Sequence, residues 1–168
     1  MAKFIYLFTS LILLSCHTTT YYIVRHAEKE TTNTMTTDVP LSAAGKDQAV
    51  DLKEKLKGHD IRHIFSTNYS RTLATVEPTR QYFNTIIQLY NTKDTMDRFI
   101  EMLRKINEGN VLIVGHANTV DDIINKLTGE KILPGDLPDS AYGDLFIVKK
   151  RGEHYSYRKE HFGRKKSI

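Results

Sequence analysis

The sequence predicts an α/β protein with a mostly parallel central sheet, and three observations carry that expectation. Short β-branched runs alternate with longer amphipathic ones along most of the 168 residues, the pattern of strands joined by crossover helices. The most apolar run, Val111-Leu112-Ile113-Val114, is continuous rather than alternating, as strands covered on both faces are. Arg25 and His26, Arg71, and His116 each sit just past the end of such a run. The carboxyl ends of parallel strands open onto one crevice, so groups placed there from distant parts of the chain can meet around one ligand.

Taken in order, the first strand is expected from Thr19 to Arg25, and the polar stretch from Glu28 to Val39 reads as a loop. Ser42 is a fitting N-cap for a helix that carries Ala49, Leu52 and Leu56 on one face and stops at Gly58. A second strand follows over Ile61 to Ser66. Tyr69 to Phe83 reads as a helix that Pro78 either kinks or breaks. Ile86 to Leu89 is a third strand, and Thr95 to Asn107 a helix, because Met96, Phe99, Ile100, Leu103 and Ile106 recur at helical spacing. After Gly109-Asn110 comes the strand Val111 to Val114, then a helix over Thr119 to Leu127 ending at Gly129. A long loop holding two prolines and two glycines covers residues 130 to 143. Leu145 to Val148 and Tyr155 to Arg158, turned at Arg151-Gly152, form a terminal hairpin.

The first sixteen residues differ from the rest. Met1-Ala2-Lys3 precede an apolar stretch from Phe4 to Leu14, followed by Ser15 and Cys16, which is the layout of a secretory signal. The stretch falls short of the about 20 apolar residues that span a bilayer. Leu13-Leu14-Ser15-Cys16 resembles the lipobox of bacterial lipoproteins, which implies that Cys16 becomes a lipidated first residue and anchors the protein to a bacterial membrane. Residues 1–16 are thus expected to be a signal peptide and 17–168 a single exported domain, in the cell envelope or periplasm. The net charge of +4 is spread along the chain except for a basic end, Arg158 to Lys166. No basic stripe with interleaved aromatics is present to hold single-stranded nucleic acid, and a monomer is the default.

Two arginines and two strand-terminal histidines make a cage suited to a phosphoryl group, since arginine offers paired donors to phosphate oxygens. The string Val24-Arg25-His26-Ala27-Glu28-Lys29 resembles the Arg-His-Gly signature of the histidine phosphatase superfamily, the group containing phosphoglycerate mutases and phosphohistidine phosphatases. Pro40 to Gly45 is similar to that family's helix-opening segment, Phe65-Ser66 through Arg71-Thr72 to its second arginine motif, and Gly115-His116 to its second histidine motif. The resemblance spans roughly residues 19 to 150. It implies a three-layer α/β/α sandwich of the phosphoglycerate mutase-like type and points to the short phosphohistidine-phosphatase-like branch. Ala27 stands where the family usually has Gly, which is tolerable at negative φ.

Residue chemistry points the same way. A neutral imidazole is a good nucleophile toward phosphorus, and His26 is the expected nucleophile. Arg25, Arg71 and His116 would bind the phosphoryl oxygens, with His116 protonated when phosphate is bound. His17, His59, His63, His154 and His161 are read as ordinary surface or core residues. Glu28, beside the nucleophile, and Asp94, after the third strand, are the candidate general acids. A metal site built from His26, Glu28 and His116 is disfavoured, because the neighbouring arginines would repel a divalent cation. The expected activity is therefore metal-independent hydrolysis, without a cofactor, of a phosphomonoester or phosphoramidate through a phosphohistidine on His26. The substrate would be a phosphorylated small molecule or protein side chain. The short connection after the third strand leaves no room for a lid, so an open pocket is expected. The alternative is a catalytically weak or inactive phosphate-binding protein of the same fold.

Overall fold

Period-two alternation in the buried strands decides the layering. In the computed structural model, which describes residues 17–32, 38–91 and 96–163, Tyr21, Ile23, Phe65, Val111, Ile113, Phe146 and Val148 face one way. Tyr22, Val24, Ile64, Leu112, Val114, Leu145 and Ile147 face the other. Side chains on successive residues of a strand point to opposite faces, so each strand here feeds two cores.

The strands are β1 (Thr18–Arg25), β2 (Ile61–Ser66), β3 (Ile87–Leu89), β4 (Asn110–Gly115), β5 (Asp144–Arg151) and β6 (His154–His161). They form one sheet in the order β3-β2-β4-β1-β5-β6. The β1–β4, β2–β4 and β2–β3 pairs are parallel, whereas β5 runs antiparallel to β1 and β6 antiparallel to β5. The helices are α1 (Ala43–Leu56), α2 (Ser70–Phe83), α3 (Met96–Lys105) and α4 (Ala117–Thr128). Leu52 and Leu56 of α1 and Val76 of α2 pack on one face. Phe99, Ile100 and Leu103 of α3 pack on the other with Val120, Ile123, Ile124 and Leu127 of α4. The result is an α/β/α sandwich.

Register places the site. Arg25 pairs with Gly115, and Ser66 with Val114, so β1, β2 and β4 end level with one another. The segment leaving β1 leads to α1 on one face, and that leaving β4 leads to α4 on the other. The crevice between neighbouring strands whose connections diverge is the topological switch point, where open α/β sheets bind ligands.

Most element boundaries move by a residue or two from the sequence expectation, β5 and β6 each run three residues further than expected, and two points are informative. α2 runs unbroken through Pro78, although the missing N–H leaves the Ala74 carbonyl without its helical partner. α4 begins directly after His116 rather than at Thr119, because the Thr119 side chain accepts a hydrogen bond from the His116 N–H at 3.0 Å and so organises the first turn. The terminal turn also falls on Gly152 and Glu153, one residue later than expected. The loop after His26 is closed at its base by a Lys29–Leu41 bridge and by the Ser42 N–H donating to the Glu28 carbonyl at 3.0 Å. Ser42 caps α1, accepting from the Gly45 N–H at 3.0 Å.

Gly45 is required by close approach. A Cβ there would lie 2.0 Å from the Glu28 carbonyl oxygen, two residues beyond His26. Gly45→Ala is expected to destabilise the protein by about 1–3 kcal/mol, the usual cost of overpacking, read from urea unfolding. An unchanged midpoint would show that this approach is slack.

Candidate active site

The carboxyl end of β1 delivers Arg25 and His26. The His26 N–H donates to the Gly115 carbonyl at 2.9 Å, continuing the β1–β4 pairing one residue past the strand. The side chain is 4% exposed, and its Nδ1 lies 2.8 Å from the Ala27 carbonyl oxygen. A carbonyl can only accept, so Nδ1 carries the proton and Nε2 keeps its lone pair. Burial is the main cause that pushes the His26 pKa down to about 3, with Arg71, Arg25 and His116 adding to it against the Ala27 hydrogen bond. Ala27 keeps φ out of the left-handed region. Its N–H donates to Thr75 Oγ1 at 2.9 Å, and that hydroxyl donates to the Arg71 carbonyl at 2.7 Å.

Arg71 stands in the first turn of α2, with its guanidinium carbon 4.5 Å from the centroid of the Tyr69 ring. Its Nη2 donates to His116 Nδ1 at 3.3 Å. His116 Nε2 lies 2.9 Å from Thr67 Oγ1, whose own proton goes to Thr72 Oγ1 at 3.1 Å. The network therefore sets the tautomer: His116 is neutral, protonated on Nε2 and accepting on Nδ1. Burial first, then Arg71 and Arg25, push its pKa down to about 4. The two imidazoles meet edge to face, with centroids 5.4 Å apart.

Arg25, His26, Arg71 and His116 line one cleft of about 670 Å³ together with Thr67, Asn68, Tyr69, Tyr90, Asn91 and the first residues of α4. Gly115 lets the strand end close: a Cβ there would come within 2.7 Å of both Thr119 Oγ1 and the Tyr90 hydroxyl, which itself donates to the Val114 carbonyl. The N-terminus of α4 adds its positive end to the cleft, as helix starts do at anion sites.

The four expected cage residues thus come together. Glu28 does not join the described lining; its Oε1 accepts from Ser42 Oγ at 3.1 Å, at the start of α1. Asp94 and Cys16 lie outside the described residues. Among the described residues, those lining the cleft include no carboxylate. Sequence reasoning missed Thr67 and Thr75, which orient His116 and Ala27, and Asp38, which accepts from the Ser70 N–H at 2.8 Å and hydroxyl at 2.7 Å. Each acts across 32 to 49 residues of chain, so no local pattern could have found it.

Fold and site together define an α/β protein with a cationic cage built around a neutral, buried histidine. The profile of the histidine phosphatase superfamily (branch 1) matches residues 21–94, which include Arg25, His26 and Arg71. That match, over less than half of the chain, is to the superfamily whose signature the sequence resembles, and it supports phosphatase activity. No curated protein matches the sequence. Among solved structures, the fold is similar to a Nakamurella multipartitia protein assigned as the phosphohistidine phosphatase SixA, with TM-score 0.63, 16% identity, and coverage of 89% of this chain and 98% of that one. It is also similar to the protein histidine phosphatase SixA complexed with tungstate, with TM-score 0.65, 15% identity, and coverage of 84% and 96%. A third similar structure is a phosphoserine phosphatase mutant from Entamoeba histolytica in complex with phosphoserine, with TM-score 0.61, 17% identity, and coverage of 86% and 96%. At these identities the likeness extends to the fold.

The depressed histidine pKa values carry a stability consequence. Between the ordinary value of 6.5 and the folded values, the unfolded chain binds protons that the folded one does not, so stability falls as pH falls. Each histidine contributes a slope of up to ~1.4 kcal/mol per pH unit. Urea unfolding is expected to show a loss between pH 7 and 5.5 that His26→Asn reduces by about half; a flat profile would mean the histidines are charged in the native state.

Proposed function

We propose that the protein is a metal-independent phosphatase that works through a phosphohistidine on His26 Nε2. One observation carries the reading: His26 is held neutral, with Nδ1 committed to Ala27 at 2.8 Å, so its Nε2 lone pair is available among Arg25, Arg71 and His116. In the first step Nε2 forms a bond to phosphorus while the bond to the substrate's leaving oxygen or nitrogen breaks, and the electron pair leaves with that group. In the second, water attacks phosphorus, the P–Nε2 bond breaks, and phosphate departs with neutral His26 restored. The positive groups stabilise charge on the equatorial oxygens in both steps. A phosphate dianion would draw the Arg71 guanidinium from His116 Nδ1 and favour protonation there, making His116 a further donor to the oxygens.

The absence of a carboxylate from the described lining favours leaving groups that need little proton assistance. A phosphoramidate such as phosphohistidine, or an aryl phosphate, fits better than an alkyl phosphate. The branch that hydrolyses phosphohistidine is therefore the reading we favour. The same observation favours, as the second reading, a phosphate-binding protein with weak catalysis.

We further propose export and lipidation at Cys16, supported by the leader-like residues 1–16. The chain enters β1 at Thr18, at the end of the sheet opposite the cage, so an anchor there would turn the cleft away from the bilayer. Among the described residues no helix is long and apolar enough to cross a membrane. Cys16→Ser is expected to shift the protein from the detergent phase to the aqueous phase in detergent partitioning; equal partitioning would remove the anchor.

Hydrolysis of p-nitrophenyl phosphate by the domain lacking residues 1–16 tests the mechanism. Turnover is expected to persist in EDTA and to fall roughly 10³-fold or more in His26→Ala, the scale on which nucleophile loss is felt. Loss in EDTA, or survival in the variant, would sink the mechanism; phosphate binding with no turnover would favour the second reading.

A further inference from the structure

We propose that Tyr142, on the loop between α4 and β5, is a positioning residue that aims Arg25 at the phosphoryl group. The inference rests on the phosphate-cage reading above and assigns a residue outside it. Arginine carries five N–H donors in a rigid fork, and four of those on Arg25 are spent on this loop. Nη1 donates to the carbonyls of Pro138 and Asp139 at 3.0 and 3.2 Å. Nη2 donates to Asp139 Oδ1 at 3.3 Å and the Tyr142 hydroxyl at 3.4 Å. The guanidinium also lies on the Tyr142 ring, its carbon 4.4 Å from the centroid. The fifth donor, Nε–H, is buried and has no partner among the described residues.

A buried, unpaired donor on a charged group is costly to keep, and this one belongs to a side chain lining the cleft. An anion in the cage would satisfy it. The loop is firm enough to aim the fork: the Leu137 N–H donates to the Ala117 carbonyl at 2.9 Å, the Ala141 N–H to Pro138 at 2.9 Å, and Leu137 and Ala141 are buried in the core. Ala117 follows His116, so one loop ties Arg25 to the helix that carries the second histidine. Of the two side chains gripping Arg25, Asp139 is fully exposed, where an ion pair is worth little. Tyr142, which also approaches His26 with ring centroids 5.9 Å apart, supplies a desolvated face and is the one that matters.

Calorimetric titration with inorganic phosphate tests the inference without requiring turnover. Tyr142→Leu is expected to weaken binding about tenfold, the scale of a desolvated cation–π contact with a charged hydrogen bond, while Tyr142→Phe, which keeps the ring, stays within about threefold of wild type. The double variant Arg25→Ala/Tyr142→Leu should bind no more weakly than Arg25→Ala. In the wild-type protein, saturating phosphate should move the Arg25 Hε resonance downfield, a readout that needs no variant to fold. Equal binding by wild type and Tyr142→Leu, multiplying penalties in the double variant, or an unmoved Hε resonance would each overturn the positioning role and leave the phosphatase reading standing. A wild-type protein that binds no phosphate would overturn the cage and the positioning role together.

Discussion

The hydrogen bond from His26 Nδ1 to the Ala27 carbonyl is the contact on which the rest of the site depends. It exposes one nitrogen and silences the other, and it works only if the carbonyl of the very next residue is held still. That is arranged from two sides. The Ala27 N–H is fixed by Thr75, whose hydroxyl is fixed in turn by the Arg71 carbonyl. The backbone of Glu28 is pressed by the start of α1, where only a glycine fits at position 45. The orientation of His26 and the placement of Arg71 are therefore parts of one backbone-anchored network linking β1, α1 and α2.

Electrostatics supply the second constraint. Two guanidiniums that are 6% and 14% exposed sit beside two imidazoles, and four positive charges could not share that volume without an anion. The protein resolves this by keeping both histidines neutral. Each arginine is also met by a carboxylate from a different loop: Asp38 lies 3.8 Å from Arg71 Nη1 and Asp139 lies 3.3 Å from Arg25 Nη2. Asp38 additionally accepts from the Ser70 backbone and hydroxyl at the start of α2, where a negative charge suits the helix dipole. These rim carboxylates temper the positive field without filling the centre of the cage.

Much of this was legible in the sequence because it depends on short-range signals. A continuous apolar run marks β4, a Ser N-cap marks α1, and the residue after a strand is where a parallel sheet puts its chemistry, so Arg25, His26 and His116 stood out by position. Arg71 was legible from the first turn of a helix that follows a strand. What could not be read was the support. Thr67, Thr75, Asp38 and Tyr142 act across tens of residues through single contacts, and an isolated Thr or Tyr leaves no periodic trace. Glu28 was singled out by adjacency to His26 in sequence, and what the fold adds is the Ser42 hydroxyl donating to its carboxylate at the start of α1. Of the two outcomes that Pro78 left open, a break is the one the fold excludes: a helix carrying Thr72, Thr75, Val76 and Thr79 on its buried side can tolerate one missing backbone bond.

The strand order then explains why the cage has two histidines from opposite layers of the sandwich. β1 and β4 are neighbours, yet the chain leaves them toward α1 on one face and α4 on the other. Their ends splay apart above the sheet, and the gap is as wide as the divergence of the two connections. His26 reaches it from one connection and His116 from the other, while the level ending of β2 brings in Thr67 and the start of α2. The remaining side, toward β5, has no parallel strand to contribute a carboxyl end, because β5 runs the other way. That side is closed by the loop preceding β5, which supplies backbone carbonyls and Tyr142 to Arg25. The antiparallel strand thus has a consequence for chemistry: by reversing direction it delivers its N-terminal connection, with its backbone carbonyl acceptors, to the same edge of the sheet where the parallel strands deliver cations.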